Sequence, residues 1–139
     1  MKTFLIADDS DAKGAWLEAM VEKSGIAQKV VRVGTTDEAK ELIDTERPEG
    51  AFIDYEMPSE NGPAVIAYLR ESVPSAKIAM VSSSNSGEYQ ADASEAGSDT
   101  YICTSFDEET VVETVSELLE EWKIGSDPSS TLKRIFLDF

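Results

Sequence analysis

Three carboxylates stand where they could do chemistry together. Asp8-Asp9 closes the short apolar run Thr3–Ala7 (TFLIA), and Asp54 closes a second such run, Gly50–Asp54 (GAFID). A carboxylate at the end of a buried strand can serve as a nucleophile or as a ligand to a hard cation. The groups that most other chemistries need are missing. The chain contains no His, which excludes Ser-His-Asp and Cys-His catalysis, His-ligated metals and a phosphohistidine carrier. The single Cys103 permits no internal disulfide and no Cys-rich zinc site, and a reducing, cytoplasmic setting follows as the simple expectation.

Composition narrows the field further. A chain of 139 residues, 41% hydrophobic and 29% charged, reads as one soluble globular domain. Its 28 acidic and 12 basic residues leave a net charge of −16, a surface that repels phosphate backbones and anionic lipid. No nucleic-acid and no membrane partner is therefore expected. No apolar run approaches the roughly 20 residues of a membrane span. The start, Met1-Lys2 before Phe4–Ala7, is too short for a signal peptide and runs into Asp8-Asp9 where a cleavage site should lie.

The elements that must position the carboxylates follow from an alternating pattern. After the first strand, Asp11–Ser24 places Ala12, Ala15, Trp16, Ala19 and Met20 on one helical stripe, with Gly25 as its stop. Val30, Val31 and Val33 make a second strand. Thr35-x-x-Glu38 is a capping-box pattern opening a helix through Glu46, with Ala39, Leu42 and Ile43 inward. Gly50–Asp54 is the third strand, and Gly62–Ser72 is a helix that tolerates Pro63 in its first turn. Lys77–Ser82 is the fourth strand, Ser86–Ala96 a polar helix, and Thr100–Thr104 the fifth strand. Asp107–Trp122 closes the domain, with Val111, Val115, Leu118 and Trp122 on one face. Five apolar strands alternating with five helices imply an α/β fold with a parallel sheet covered on both sides.

In an open sheet of this kind, ligands bind beyond the carboxyl ends of the strands, where the strand order reverses. In the flavodoxin-like order 2-1-3-4-5, that point lies between the first and third strands. Asp8, Asp9 and Asp54 then converge on one pocket rim, where unpaired they would repel one another strongly. A small hard cation held by carboxylates, a backbone carbonyl and water relieves that repulsion, which describes Mg²⁺.

These residues resemble the receiver domains of bacterial two-component response regulators. The resemblance covers about residues 3–123. It rests on Asp8-Asp9, Asp54, Met57-Pro58 with Gly62, Ser82, and the run Ala96-Gly97-Ser98-Asp99-Thr100-Tyr101, all in register with the five strands. It implies that Asp54 is the phosphoacceptor, taking phosphoryl from a histidine kinase or a histidine phosphotransfer protein. It also implies a Mg²⁺ site formed by Asp9, Asp8 partly through water, Asp54 and the backbone carbonyl of Glu56. Ser82 takes the position of the family's phosphoryl-binding hydroxyl, and Tyr101 that of its switch aromatic. Such a protein is no enzyme beyond its own phosphorylation and dephosphorylation. Two other readings fit less well. Asp54-Tyr55-Glu56-Met57-Pro58 lacks the Asp-x-Asp-x-Thr signature of haloacid-dehalogenase-type phosphatases, and Asp8-Asp9-Ser10-Asp11 would repel the phosphate of a flavin.

One departure bears on mechanism. Where these receivers end the fifth strand with Lys-Pro, this sequence reads Thr104-Ser105, and no Lys or Arg occurs between Lys77 and Lys123. The alternative to a phosphorylated stand-alone receiver is thus a pseudo-receiver that works as a phosphorylation-independent scaffold. The stretch Ile78–Trp122 holds 11 acidic residues and no basic one, across the region that builds the family's output face of fourth helix, fifth strand and fifth helix. A solvated face explains most charge runs. A downstream protein target with a basic surface, or avoidance of self-pairing, is the functional reading. The expected domain is 1–123. Residues 124–139 form a linker and a short amphipathic segment whose Leu132, Ile135, Phe136 and Phe139 share one face, for a monomer or weak homodimer.

Overall fold

The computed structural model describes residues 1–125. The C-terminal face of Leu132, Ile135, Phe136 and Phe139 lies outside them. Ten elements alternate: β1 (Thr3–Ala7), α1 (Asp11–Ser24), β2 (Lys29–Val33), α2 (Thr36–Glu46), β3 (Gly50–Ile53), α3 (Gly62–Ser72), β4 (Lys77–Ser82), α4 (Gly87–Ala96), β5 (Thr100–Cys103) and α5 (Glu108–Gly125). All strand pairs are parallel, in the order β2-β1-β3-β4-β5. This is the flavodoxin-like arrangement expected.

The inner strands β1, β3 and β4 are buried on both faces while the edge strands β2 and β5 are only partly covered, and the period of two sorts the side chains into two cores. Leu5, Ile53, Ile78 and Met80 pack on one side with Ile43 of α2 and Ile66 and Leu69 of α3. Phe4, Ile6, Phe52 and Val81 pack on the other with Leu17 and Val21 of α1 and Val115, Leu119 and Trp122 of α5. There the rings of Phe4 and Phe52 meet edge to face at 5.0 Å, and Trp122 lies 5.8 Å from Phe52. The Thr35 half of the capping pattern of α2 forms as expected, while Glu38 reaches the N–H of Gly34 in place of that of Thr35. The Glu38 N–H donates to Thr35 Oγ1 at 3.1 Å, and Glu38 Oε1 accepts from Gly34 N–H and from the Thr35 hydroxyl.

Two helix faces differ from the sequence reading. In α1 the stripe Ala12, Ala15 and Ala19 is exposed, with Trp16 and Met20 only partly covered, while Gly14, Leu17 and Val21 are buried. Turning Leu17 and Val21 inward removes more apolar area from water than burying alanines would. In α5 the buried face is Val111, Val115, Leu119 and Trp122, and Leu118 is half-buried. The i, i+4 spacing keeps Leu119 directly below Val115, whereas Leu118 is turned about 100° away.

Candidate acidic site at the switch point

The sheet places the acidic residues side by side because its hydrogen-bond ladder runs one residue past the strands. Asp8 N–H donates to Val33 O at 3.0 Å, and Asp54 N–H donates to Ala7 O at 2.8 Å. On the far side, Thr104 N–H donates to Ser82 O at 2.8 Å, so β4 and β5 also end level. Asp8, Asp9 and Asp54 each offer a carboxylate oxygen within 4.8 Å of the others. Asp8 is buried and Asp9 exposed. A shallow cleft above them is lined by Asp8, Ser10, Lys13, Asp54, Glu56, Ser82 and Ser83.

Gly62 allows the loop after β3 to close. A Cβ there would lie 1.9 Å from the carbonyl oxygen of Asp54, so only glycine fits. The Gly62 N–H donates to Tyr55 O at 2.6 Å, tying the first turn of α3 to the residue after Asp54. Ser59, in the same loop, holds a left-handed φ of 79°.

The sequence reading missed a residue at the centre of this site. Lys13, in the first turn of α1, reaches over the strand ends. Its Nζ lies 2.9 Å from Asp8 Oδ2 and 3.1 Å from Asp54 Oδ1, and it donates to Val81 O at 3.0 Å. No counter-charge lies near β5 in the sequence; the cation arrives from the opposite end of the chain. A signal did exist: a cation in a helix's first turn opposes the helix dipole and needs nearby acceptors. Asp8 Oδ1 accepts from Ser10 N–H at 2.9 Å, while the buried Oδ2 makes no directed hydrogen bond and meets only the charge of Lys13. Such an oxygen, beside two further carboxylates, suits a hard cation, so the donor set fits Mg²⁺. Burial raises the pKa of Asp54. Lys13 pulls it back down, and the Asp8 charge pushes it up again.

The remaining expected residues take up the following places. Ser82 is buried at the cleft, its Oγ accepting from Ser84 N–H at 3.1 Å. Tyr101 is half-buried and its hydroxyl donates to Ser84 O at 2.7 Å, on the loop that follows Ser82. Thr104 lines a neighbouring groove with Lys13, Trp16 and Phe106. The Glu56 side chain points to α4, where its Oε1 accepts from the Tyr89 hydroxyl at 2.8 Å. A second link from this loop to α4 was also missed. Tyr55 stacks on Tyr89 at 3.6 Å and donates to Asp92 Oδ2 at 2.7 Å. Of the acidic run, Asp92 is therefore engaged internally, and Asp99 pairs with Arg70 at 3.0 Å.

A parallel α/β sheet of this order, with an acidic cleft and a hydroxyl at its switch point, defines the class to which the site belongs. Residues 4–116 match the response regulator receiver domain, and the chain belongs to that family of two-component signalling proteins. Its fold is similar to that of the Mn(2+)-bound form of response regulator Rcp1 (16% identity, TM-score 0.77, covering 88% of this chain and 94% of that one). It is similar to a response regulator protein from Burkholderia pseudomallei with a phosphorylated aspartic acid, calcium ion and citrate (24% identity, TM-score 0.70, covering 91% and 76%). A CheY-like response regulator receiver domain protein from Methanospirillum hungatei JF-1 is 26% identical, with a TM-score of 0.73 and coverage of 87% and 95%. No curated protein matches the sequence. Among the described residues, no helix is long and apolar enough to cross a membrane.

Proposed function

We propose that this receiver accepts a phosphoryl group on Asp54 from a histidine kinase or histidine phosphotransfer protein and signals by protein–protein contact. The observation that carries this reading is the approach of carboxylate oxygens of Asp8, Asp9 and Asp54 to within 4.8 Å of one another, at a cleft that Asp8, Asp54 and Ser82 line. The phosphorylated aspartic acid and the metal ions named for the similar structures support it.

A carboxylate oxygen of Asp54 attacks phosphorus, a new P–O bond forms, and the donor's bond to phosphorus breaks. With acetyl phosphate as donor, acetate leaves with the electron pair and no proton moves. Asp8, Asp9, Asp54 and the Glu56 carbonyl would hold Mg²⁺, which when bound supplies charge neutralisation for the phosphoryl oxygens. Ser82 donates a hydrogen bond to one of those oxygens, and Tyr101 follows the Ser82–Ser84 loop. The acidic α4–β5–α5 face suits a target with a basic surface. The test is intact-mass spectrometry after incubation with acetyl phosphate and Mg²⁺. A phosphoryl adduct on the wild type that is absent from Asp54→Asn is expected. Its absence from the wild type would leave the phosphorylation-independent scaffold as the function.

A further inference from the structure

Lys13 is held in a way that packing alone does not explain. Its ammonium meets three oxygens: it donates to Asp54 Oδ1 and Val81 O, and it lies 2.9 Å from Asp8 Oδ2, which it meets as a charge. The side chain is 19% exposed, against 1% for Asp8 and 12% for Asp54, so the charges meet largely out of solvent. The residue sits at the start of α1, where the helix dipole repels a cation. Among the described residues, Lys13 is the cation that pairs with Asp54. Position 104, at the end of β5, carries a hydroxyl and no charge.

We infer that Lys13 is the cation that pairs with the phosphoryl group on Asp54, delivered from α1 across the ends of the strands. This rests on the reading of Asp54 as phosphoacceptor. The ammonium already touches the Asp54 carboxylate, so oxygens added to that carboxylate fall within its reach. Its bond to Val81 O anchors it beside Ser82, the residue whose hydroxyl opens on the same cleft. Charge and hydroxyl thus approach the added group from the β4 side.

Lys13 has a second consequence for the same site. It holds Asp8 Oδ2, an oxygen that the divalent cation site also needs and that has no directed hydrogen bond. Lys13 therefore acts as a resident cation while the metal site is empty. Filling that site makes Lys13 give up Asp8, and leaves it free to swing onto the phosphoryl oxygens. Removing Lys13 should have two opposite effects: tighter metal binding and slower phosphoryl acceptance. A residue with only a structural role would weaken both together.

The experiment uses the full chain as wild type, Lys13→Met, Thr104→Lys and the double variant, with Asp54→Asn as the blank. Mg²⁺ affinity is read from the rise of melting temperature with concentration, and adduct formation from acetyl phosphate by intact mass at saturating Mg²⁺. In Lys13→Met we expect Mg²⁺ affinity to rise several-fold and the adduct rate to fall about ten- to a hundred-fold, the range for a lost charge-assisted contact. The double variant should recover most of the rate, because the replacement lysine reaches Asp54 from β5. An adduct rate in Lys13→Met equal to wild type, or Mg²⁺ affinity unchanged or weakened, overturns the inference. So does a double variant that melts cooperatively yet recovers nothing. Should Lys13→Met not fold, Lys13→Gln, which keeps donors and drops the charge, takes its place under the same outcomes. A wild type that takes no phosphoryl group refutes the phosphoacceptor reading itself; wild-type phosphorylation that ignores Lys13 refutes this inference alone.

Discussion

Gly62 is the position where one methyl group tests how the site is built. A Cβ there would sit 1.9 Å from Asp54 O, 2.9 Å from Asp54 C and 3.0 Å from Met80 Cε. Close C–H···O contacts stop at about 3.3 Å, so about 1.4 Å of movement is needed, and two of the three obstacles are backbone. Neither side yields easily. The Gly62 N–H is bonded to Tyr55 O, and the Asp54 N–H is bonded to Ala7 O in β1. Gly62→Ala should therefore lose about 1–3 kcal/mol to overpacking and about 1 kcal/mol to the broken Gly62–Tyr55 bond. Helix propensity favours Ala by up to about 1 kcal/mol and does not reverse the sign. A net loss of about 1–3 kcal/mol lowers the melting temperature by about 4–12 °C for a domain of this size. The movement falls on Asp54 itself, and a misplacement near 1 Å costs about a hundredfold in transfer rate. Calorimetry and the rate of adduct formation from acetyl phosphate measure the two effects. A Gly62→Ala protein that melts with the wild type and takes phosphoryl at the same rate would refute the claim that this contact sets the site.

Three further outcomes follow from the same geometry. Because burial raises the Asp54 pKa in the folded state, Asp54 binds more proton in the native than in the unfolded protein just above the ordinary carboxylate range, and its contribution to stability falls as pH rises through that window. In chelator, denaturant midpoints of the wild type should drop relative to Asp54→Asn between acid and neutral pH, and parallel profiles would contradict this. The Tyr55 phenol is pushed up to about 12, first by its hydrogen bond to Asp92, then by burial and neighbouring charge. That contribution to stability is complete below the ordinary tyrosine range and is lost as pH climbs towards 12. Tyrosinate absorbance should show the last ionisation step vanish in Tyr55→Phe and move down in Asp92→Asn. Thr35→Ala removes the cap of α2 and should cost about 1 kcal/mol by denaturant titration. An unchanged midpoint would mean that Glu38 alone secures the helix start.

What the sequence determined by itself was everything that depends on local order. The apolar runs Thr3–Ala7 and Lys77–Ser82 are strands with the bounds read for them, Gly50–Asp54 is a strand as far as Ile53, and α2 and α3 keep the bounds read for them. Asp8-Asp9 and Asp54 were legible as a site because acidic residues that close buried strands must meet at the switch point of a sheet in this order. The face of α1 was not legible, since its alanines satisfy a helical period as well as Leu17 and Val21 do, and only the sheet beneath decides which set it covers. The Tyr55–Tyr89 stack and the Asp92 bond join residues on different elements, and no spacing announces them. Lys13 is the clearest case. The three oxygens it meets come from the ends of β1 and β3 and from β4, separated from it by up to 68 residues. A lysine side chain is long enough to serve any of several neighbours, so its partner is chosen by where the strand ends bring carboxylates together in space.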